Sequence, residues 1–250
     1  MKVGIIGCGS VGSFVARWLN GESGFELVSI FDINRERAMR LSEELKVNVA
    51  KDIDEFLKSN MDVVVEAASQ QAVLNYAERV LKSGKDLIIL SVGALAEDDF
   101  YDKIKALADE LGRRIFIPSG ALAGVDAVRA VASYIEEVIL TTRKNPSSFG
   151  VDGKGIIFEG DARKAAKLYP KNLNVAATLG VVAGFDKVKV VAIAEEVSEN
   201  VHEIVVRGKF GEIKIAVRNR KMENNPKTSY LAALSVIKTL ENIKGNIVVG

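Results

Sequence analysis

The sequence predicts an α/β chain. Its N-terminal half should form a doubly wound parallel sheet, followed by a smaller α+β domain with an open mixed or antiparallel sheet. Three observations predict this. Short apolar, β-branched runs alternate with helical periods from Lys2 to Ile117. A glycine cluster, Gly7-Cys8-Gly9-Ser10-Val11-Gly12, follows the first run at once. After Pro118 the alternation gives way to longer strand-like runs.

Taken in order, Lys2 to Ile6 reads as a short buried strand. Ser13 to Leu19 reads as a helix, with Phe14, Val15, Trp18 and Leu19 spaced to bury one face. Phe25 to Phe31 is a second strand, and Arg35 to Leu45 a helix with a solvated face. The alternation continues through a strand at Met61 to Glu66, a helix at Gln70 to Lys82 and a strand at Asp86 to Leu90. A helix at Asp98 to Leu111 and a strand at Arg114 to Ile117 complete this half.

The glycine cluster lies between a strand and a helix, and Asp32 stands twenty positions beyond Gly12 at the end of the next strand. That spacing is the dinucleotide-binding fingerprint. Gly7 permits the tight turn out of the strand, Gly9 lets backbone approach a pyrophosphate, and Gly12 lets the helix pack close to the strand. The helix N-terminus, with Ser10 and Val11 in the loop, offers N–H groups and partial positive charge to the phosphates. Asp32 accepts from the ribose hydroxyls and favours NAD, because a carboxylate repels a 2′-phosphate. Arg35 and Arg37 follow closely and leave NADP as the alternative. Ligands lie outside the carboxyl ends of such strands. The small residues there, Ala67 and Ala68 after one strand and Ser91, Val92 and Gly93 after another, are therefore expected to border the cofactor.

The second half opens on Ser119-Gly120-Ala121-Leu122-Ala123-Gly124-Val125-Asp126, read as a hinge passing close to a ligand, and on a helix from Asp126 to Tyr134. Strands follow at Glu137 to Arg143, Lys187 to Ala194, Asn200 to Lys209 and Glu212 to Arg218, the last two forming a hairpin across Phe210-Gly211. Helices are expected at Asp161 to Tyr169 and Val175 to Ala183, on one face of the sheet. Asn225 to Tyr230 reads as a loop with a Ser or Thr cap. The helix after it, Tyr230 to Lys244, places Leu231, Leu234, Ile237 and Leu240 on one face and is expected to return to the nucleotide domain.

Bulk properties exclude several classes. Lys and Arg number 34 against 33 Asp and Glu, so no overall basic balance suggests a nucleic-acid partner. No apolar run reaches the roughly 18 residues of a membrane span. The apolar start is read as a strand and not a signal peptide, so the expected location is cytoplasmic. The single Cys excludes an internal disulfide. One His and one Cys cannot form a His- and Cys-rich zinc site, and no metal is expected. Cys8 sits inside the phosphate loop, where it reads as a small buried filler and not a nucleophile. The lone His202, in Ser198-Glu199-Asn200-Val201-His202-Glu203-Ile204, is the one histidine that could serve acid–base chemistry.

Several runs then carry a resemblance across nearly the whole chain. They are Pro118 to Asp126, Lys171-Asn172-Leu173-Asn174-Val175-Ala176-Ala177-Thr178-Leu179, Asn200-Val201-His202-Glu203-Ile204, Gly208-Lys209-Phe210-Gly211 and Asn225-Pro226-Lys227-Thr228-Ser229. Together they resemble the L-aspartate dehydrogenase family. The resemblance implies NAD(P)-dependent oxidation of L-aspartate to iminoaspartate. That product is hydrolysed to oxaloacetate and ammonia or supplied to NAD biosynthesis. It also implies His202 as the active-site residue and Ala121 and Asn174 as contacts near the nicotinamide, with Ala123 the alternative to Ala121.

On this reading the substrate amine must lose a proton, and His202 activates the water that attacks the imine. The two substrate carboxylates need donors, for which Lys144, Arg143 and Asn200 are candidates. Residues 1–118, completed by helix 229–250, form the dinucleotide-binding domain, and residues 119–228 the catalytic and dimerisation domain. A homodimer through the second sheet is expected. Two rival functions fit the same architecture: another reductase acting on an aspartate-pathway metabolite, and a non-catalytic NAD-binding redox sensor.

Overall fold

The structure is a computed structural model. It describes all residues except Asp98, Lys171, Glu223, Asn224, Val249 and Gly250, and gives Pro226 and Lys227 by their backbone only. The expected helix start at Asp98, Lys171 of the second quoted run and the last two residues of segment 229–250 lie outside the described residues. Two compact units are present. The first comprises Met1–Ala94, Asp99–Pro118 and Val236–Val248; the second comprises Ser119–Ser235 with residues 95–97.

The first unit is built on strands β1 (Lys2–Ile6), β2 (Glu26–Phe31), β3 (Asn48–Val49), β4 (Val63–Glu66), β5 (Asp86–Ile89) and β6 (Ile115–Phe116). They form one parallel sheet in the order β3-β2-β1-β4-β5-β6. Its helices are α1 (Ser10–Gly21), α2 (Arg35–Leu45), α3 (Ile53–Lys58), α4 (Gln70–Lys82) and α5 (Phe100–Leu111). The central strands β4 and β5 are buried along their whole length, as a sheet covered on both faces requires. Sheet order reverses direction at β1, between β2 and β4, which opens a crevice at the carboxyl ends of β1 and β4.

Caps explain why some helix bounds are sharp. The Asn34 side chain accepts from the Arg37 N–H, and the Ser69 hydroxyl accepts from the Ala72 N–H, so α2 and α4 start where the sequence places them. Helix α1 begins three residues before the expected Ser13, because Ser10, Val11 and Gly12 already form its first turn. The short elements α3 and β3 were not expected; α3 starts on the cap Asp52, whose carboxylate accepts from the Glu55 N–H.

In the second unit, α6 (Val125–Ala130) ends before the expected Tyr134, the chain tightening into a 3₁₀ turn at Ala132–Tyr134. Next come β7 (Ile135–Lys144), α7 (Pro146–Phe149), β8 (Gly155–Asp161), α8 (Ala162–Leu168), α9 (Asn174–Ala183), β9 (Val188–Ala194), β10 (Asn200–Gly208) and β11 (Gly211–Asn219). The sheet order is β11-β10-β7-β9-β8; only the β7–β9 pair is parallel, so the sheet is mixed. The hairpin turn is Lys209-Phe210, one residue earlier than expected, because Gly208 pairs with Gly211. Segment 225–229 is a strand and not a loop: β13 (Asn225–Ser229) pairs with β12 (Lys221–Met222).

Burial alternates along the strands of this sheet. In β7, Val138, Leu140, Thr142 and Lys144 are buried while Ile139, Thr141 and Arg143 are half-exposed. In β10, Asn200, His202, Ile204 and Val206 are buried. One face thus packs under helices α8 and α9, and the other stays partly open. The last helix, α10 (Tyr230–Lys244), buries Ala233, Val236, Ile237 and Leu240, but Leu234 is 40% exposed and leaves the expected apolar stripe. At its end the Lys244 ammonium donates to the Ser23 carbonyl. It lies 4.6 Å from the centre of the Phe25 ring.

Candidate active site

In the first unit the glycine loop is shaped by close approaches. Gly7 adopts φ +101°, in the left-handed region that favours glycine. A Cβ there would lie 2.7 Å from the backbone of Ala67, and a Cβ on Gly12 would lie 1.8 Å from the Gly7 carbonyl oxygen. A Cβ on Gly9 would meet nothing within 4 Å, so this glycine borders open space. Gly9 is also the N-cap of α1, where no side chain caps the helix and no acidic residue stands in the first turn. The uncapped N–H groups and the helix dipole are left to an external anion.

Asp32 closes the loop from the end of β2. Its Oδ2 accepts from the Cys8 N–H at 2.7 Å, and its Oδ1 accepts from the Asn34 N–H at 2.7 Å. The Arg37 guanidinium lies 3.6 Å from the same carboxylate, while Arg35 is exposed. Cys8 is buried, and desolvation together with the Asp32 charge pushes its thiol up to about 12. A thiol so held is protonated near neutrality and unsuited to nucleophilic attack.

A residue that the sequence reading did not single out organises the strand ends. The fully buried Glu66 carboxylate accepts from the Ala68, Ser69 and Ser91 N–H groups and from the Ser91 hydroxyl. Burial still raises its pKa against those four bonds. Glu66 thereby ties the Ala67-Ala68 and Ser91 turns together beside Gly7. Ala68 is exposed, whereas Ser91, Val92 and Gly93 are buried at the start of the 3₁₀ turn Val92–Ala96.

The second unit assembles a different kind of site on the buried face of its sheet. His202 is paired with Thr142 across β10 and β7, and its Nδ1 lies 3.1 Å from the Thr142 hydroxyl. Lys144, two residues further along the same face of β7, is 4% exposed, and its ammonium donates to the Asn172 carbonyl at 3.0 Å. Asn200 lies two residues before His202 on the same face and donates through Nδ2 to the Ser229 hydroxyl at 3.3 Å. Three buried atoms here have no hydrogen-bond partner: His202 Nε2, Asn200 Oδ1 and Asn172 Oδ1. Native interiors rarely leave such atoms unpaired without a functional reason.

Neighbouring segments are tied to the same corner. Asn219, paired with Asn200 across the hairpin, donates to the Ala121 carbonyl at 2.8 Å. Asn174 begins α9, two residues after the Asn172 carbonyl held by Lys144. Ala121, Asn174, Asn200, Lys144 and His202 are thus linked through direct contacts or adjacent positions. Arg143 is not among them. Adjacent to Lys144 in a strand, it points to the opposite face and pairs with Glu195 at 3.2 Å and Glu203 at 3.3 Å. Thr142, Asn172 and Asn219 were missed as site residues. For Thr142 and Asn219 the signal was a polar residue where strand alternation demands an apolar one, whereas Asn172 lies in the turn before α9 and had no such signal.

Electrostatics separate the two ionisable groups of this corner. Burial first, and the nearby Lys144 charge second, depress His202 to about 3. Burial first, and the Lys221 charge second, depress Lys144 to about 8. No group of three or more His, Cys, Asp or Glu side chains suited to a metal ion occurs among the described residues. No described helix is long and apolar enough to cross a membrane.

The chain is similar to known proteins along nearly its whole length. Residues 126–243 match the family described as aspartate dehydrogenase, C-terminal, and residues 7–118 match the homoserine dehydrogenase NAD-binding domain. The chain is 53% identical over 249 residues to the L-aspartate dehydrogenase of Archaeoglobus fulgidus, covering 100% of both. It is 37% identical over 266 residues to that of Methanocaldococcus jannaschii, covering 100% of this chain and 99% of the relative. Among solved structures it is similar to aspartate dehydrogenase from Thermotoga maritima, with TM-score 0.83, 30% identity and coverage of 100% and 99%.

Proposed function

The chain belongs to the L-aspartate dehydrogenase family, and we propose that it oxidises L-aspartate at Cα with a nicotinamide dinucleotide, NAD in preference to NADP. The observation that carries this reading is the buried, partner-deficient polar corner around His202. The first unit binds the cofactor. Gly7, Gly9, Ser10, Val11 and Gly12 take the pyrophosphate and Asp32 the ribose, while Ala67, Ala68, Ser91, Val92 and Gly93 border the cofactor at the strand ends. The shape test favours it: Gly9 faces open space in front of an uncapped helix end. Once bound, the cofactor supplies a two-electron hydride acceptor.

The second unit supplies the groups that handle the substrate. His202 is the active-site residue, Lys144 and Asn200 contact the substrate, and Ala121 and Asn174 contact the nicotinamide portion. The imine product is hydrolysed to oxaloacetate and ammonia, or passed on for NAD synthesis. The half-exposed outer face of the second sheet, with Ile139, Val191 and Val205, forms a homodimer interface in a cytoplasmic enzyme. The test is a panel of amino and hydroxy acids assayed with both cofactors by absorbance at 340 nm. Signal growth with L-aspartate supports the reading. Cofactor binding without turnover of any amino acid would replace it with a redox sensor.

A further inference from the structure

Building on that reading, we infer that Lys144 takes the proton from the substrate α-ammonium, and that His202 faces the same nitrogen as a neutral hydrogen-bonding partner. Two of the three unpartnered buried atoms of this corner are amide oxygens, which only accept. Asn200 Oδ1 and Asn172 Oδ1 have no partner, and neither has His202 Nε2, which presents a lone pair in the tautomer whose Nδ1–H donates to the Thr142 hydroxyl. A carboxylate, which only accepts, would confront three acceptors here. A substrate ammonium carries three N–H donors, one to pass to Lys144 and two to meet acceptors of this corner. The substrate nitrogen therefore belongs in this corner, with its carboxylates directed elsewhere.

Lys144 is the group placed to receive the proton. It shares the buried face with His202 and Thr142, and its nitrogen makes a hydrogen bond to the Asn172 carbonyl. The Phe149 ring lies 6.0 Å from that nitrogen. No carboxylate pairs with it among the described residues. The charged or titratable groups that face it are His202 from β10 and Lys221 from β12. Two ammonium ions cannot share so dry a site, so substrate binding favours the neutral form of Lys144. A buried lysine held at about 8 is a competent base near neutrality, whereas a histidine at about 3 has little affinity for an ammonium proton.

The step balances. An N–H bond of the substrate ammonium breaks, its electron pair stays on the substrate nitrogen, and the Lys144 lone pair binds the proton. That nitrogen lone pair then forms the C=N bond as Cα gives its hydride to the bound nicotinamide. Cα is oxidised by two electrons and the cofactor reduced by two. Lys144 releases the proton to solvent, which accounts for the one proton liberated per turnover.

The test is the pH dependence of kcat and kcat/KM for L-aspartate in the wild type, Lys144→Arg and Lys144→Ala, with dinucleotide affinity measured as the folding control. Wild-type kcat/KM should rise with pH through about 8, as the lysine of the free enzyme loses its proton. Lys144→Arg keeps the charge but cannot deprotonate, so kcat should fall by roughly 10²–10⁴-fold and the rising limb should vanish. Lys144→Ala should be partly restored by added methylamine or ethylamine, in proportion to the free-base form. This rescue remains decisive if arginine packs poorly. Near-normal kcat in Lys144→Arg with the limb intact and only KM raised would overturn the assignment, leaving Lys144 a carboxylate contact. Failure of rescue in a Lys144→Ala protein that binds dinucleotide would also overturn it. A wild type inert towards aspartate would instead defeat the proposed function, and the assignment with it.

Discussion

At the carboxyl end of β1, the buried acids are provided for by their own surroundings. Asp32 accepts from two backbone N–H groups, and Glu66 from three N–H groups and a hydroxyl. At the polar end of β10 the reverse holds: a histidine, an asparagine and a lysine are buried beside the half-buried Asn172, and three polar atoms among them have no partner. The first region is shaped to present backbone to a ligand, so its side chains serve rigidity. The second presents side chains to a ligand, so it holds them dry and incompletely satisfied until one arrives. Buried polar groups left in that condition destabilise a fold, which is consistent with a corner kept for chemistry.

Three substitutions sharpen the contrast. The largest effect belongs to Gly12→Ala. Its Cβ would fall 1.8 Å from the Gly7 carbonyl, so the loop must move. Overpacking of this kind costs about 1–3 kcal/mol. Thermal unfolding should register that loss, and fluorescence titration should show dinucleotide affinity falling by about two orders of magnitude, the equivalent of roughly 2.8 kcal/mol. An unchanged affinity would mean that the loop is not the cofactor cradle.

Asp32→Asn should act more mildly, because it retains a side-chain oxygen while removing the charge that repels a 2′-phosphate. The kcat/KM preference for NAD over NADP should fall by about tenfold, or roughly 1.4 kcal/mol. An unaltered ratio would move the selectivity to other residues. The smallest effect is expected at Arg143, beside Lys144 in sequence but on the far face of the sheet. Arg143→Ala breaks partly exposed ion pairs and should change stability by no more than about 1 kcal/mol. Turnover should stay at the wild-type level; a large fall would show that the two faces of β7 are not functionally distinct.

The two regions also differ in how they could be read from sequence. The glycine loop and Asp32 lie within one short stretch, and each residue type answers a local backbone or charge requirement. Helices α2 and α4 were legible end to end because side-chain caps mark their starts. Strand β8 escaped because it is an irregular edge strand, broken in register between Ile156 and Phe158. The second site is joined by pairing across long separations: Thr142 and His202 are 60 positions apart, and Ala121 and Asn219 are 98 apart. No local period links such residues. A period of two still carried a clue. On the buried face, β7 runs Val138, Leu140, Thr142, Lys144 and β10 runs Asn200, His202, Ile204, Val206. Both turn from apolar to polar at the same end of the sheet, so the polarity break marked a site before its members could be matched.

The most direct test of this division of labour is to measure aspartate turnover and NAD affinity together in His202→Ala. The account predicts that kcat falls by roughly 10–100-fold, the loss of a hydrogen bond to a charged group worth about 1.5–3 kcal/mol, while NAD affinity stays at the wild-type value. Wild-type turnover in that variant would contradict it, and so would a loss of NAD affinity large enough to explain the fall.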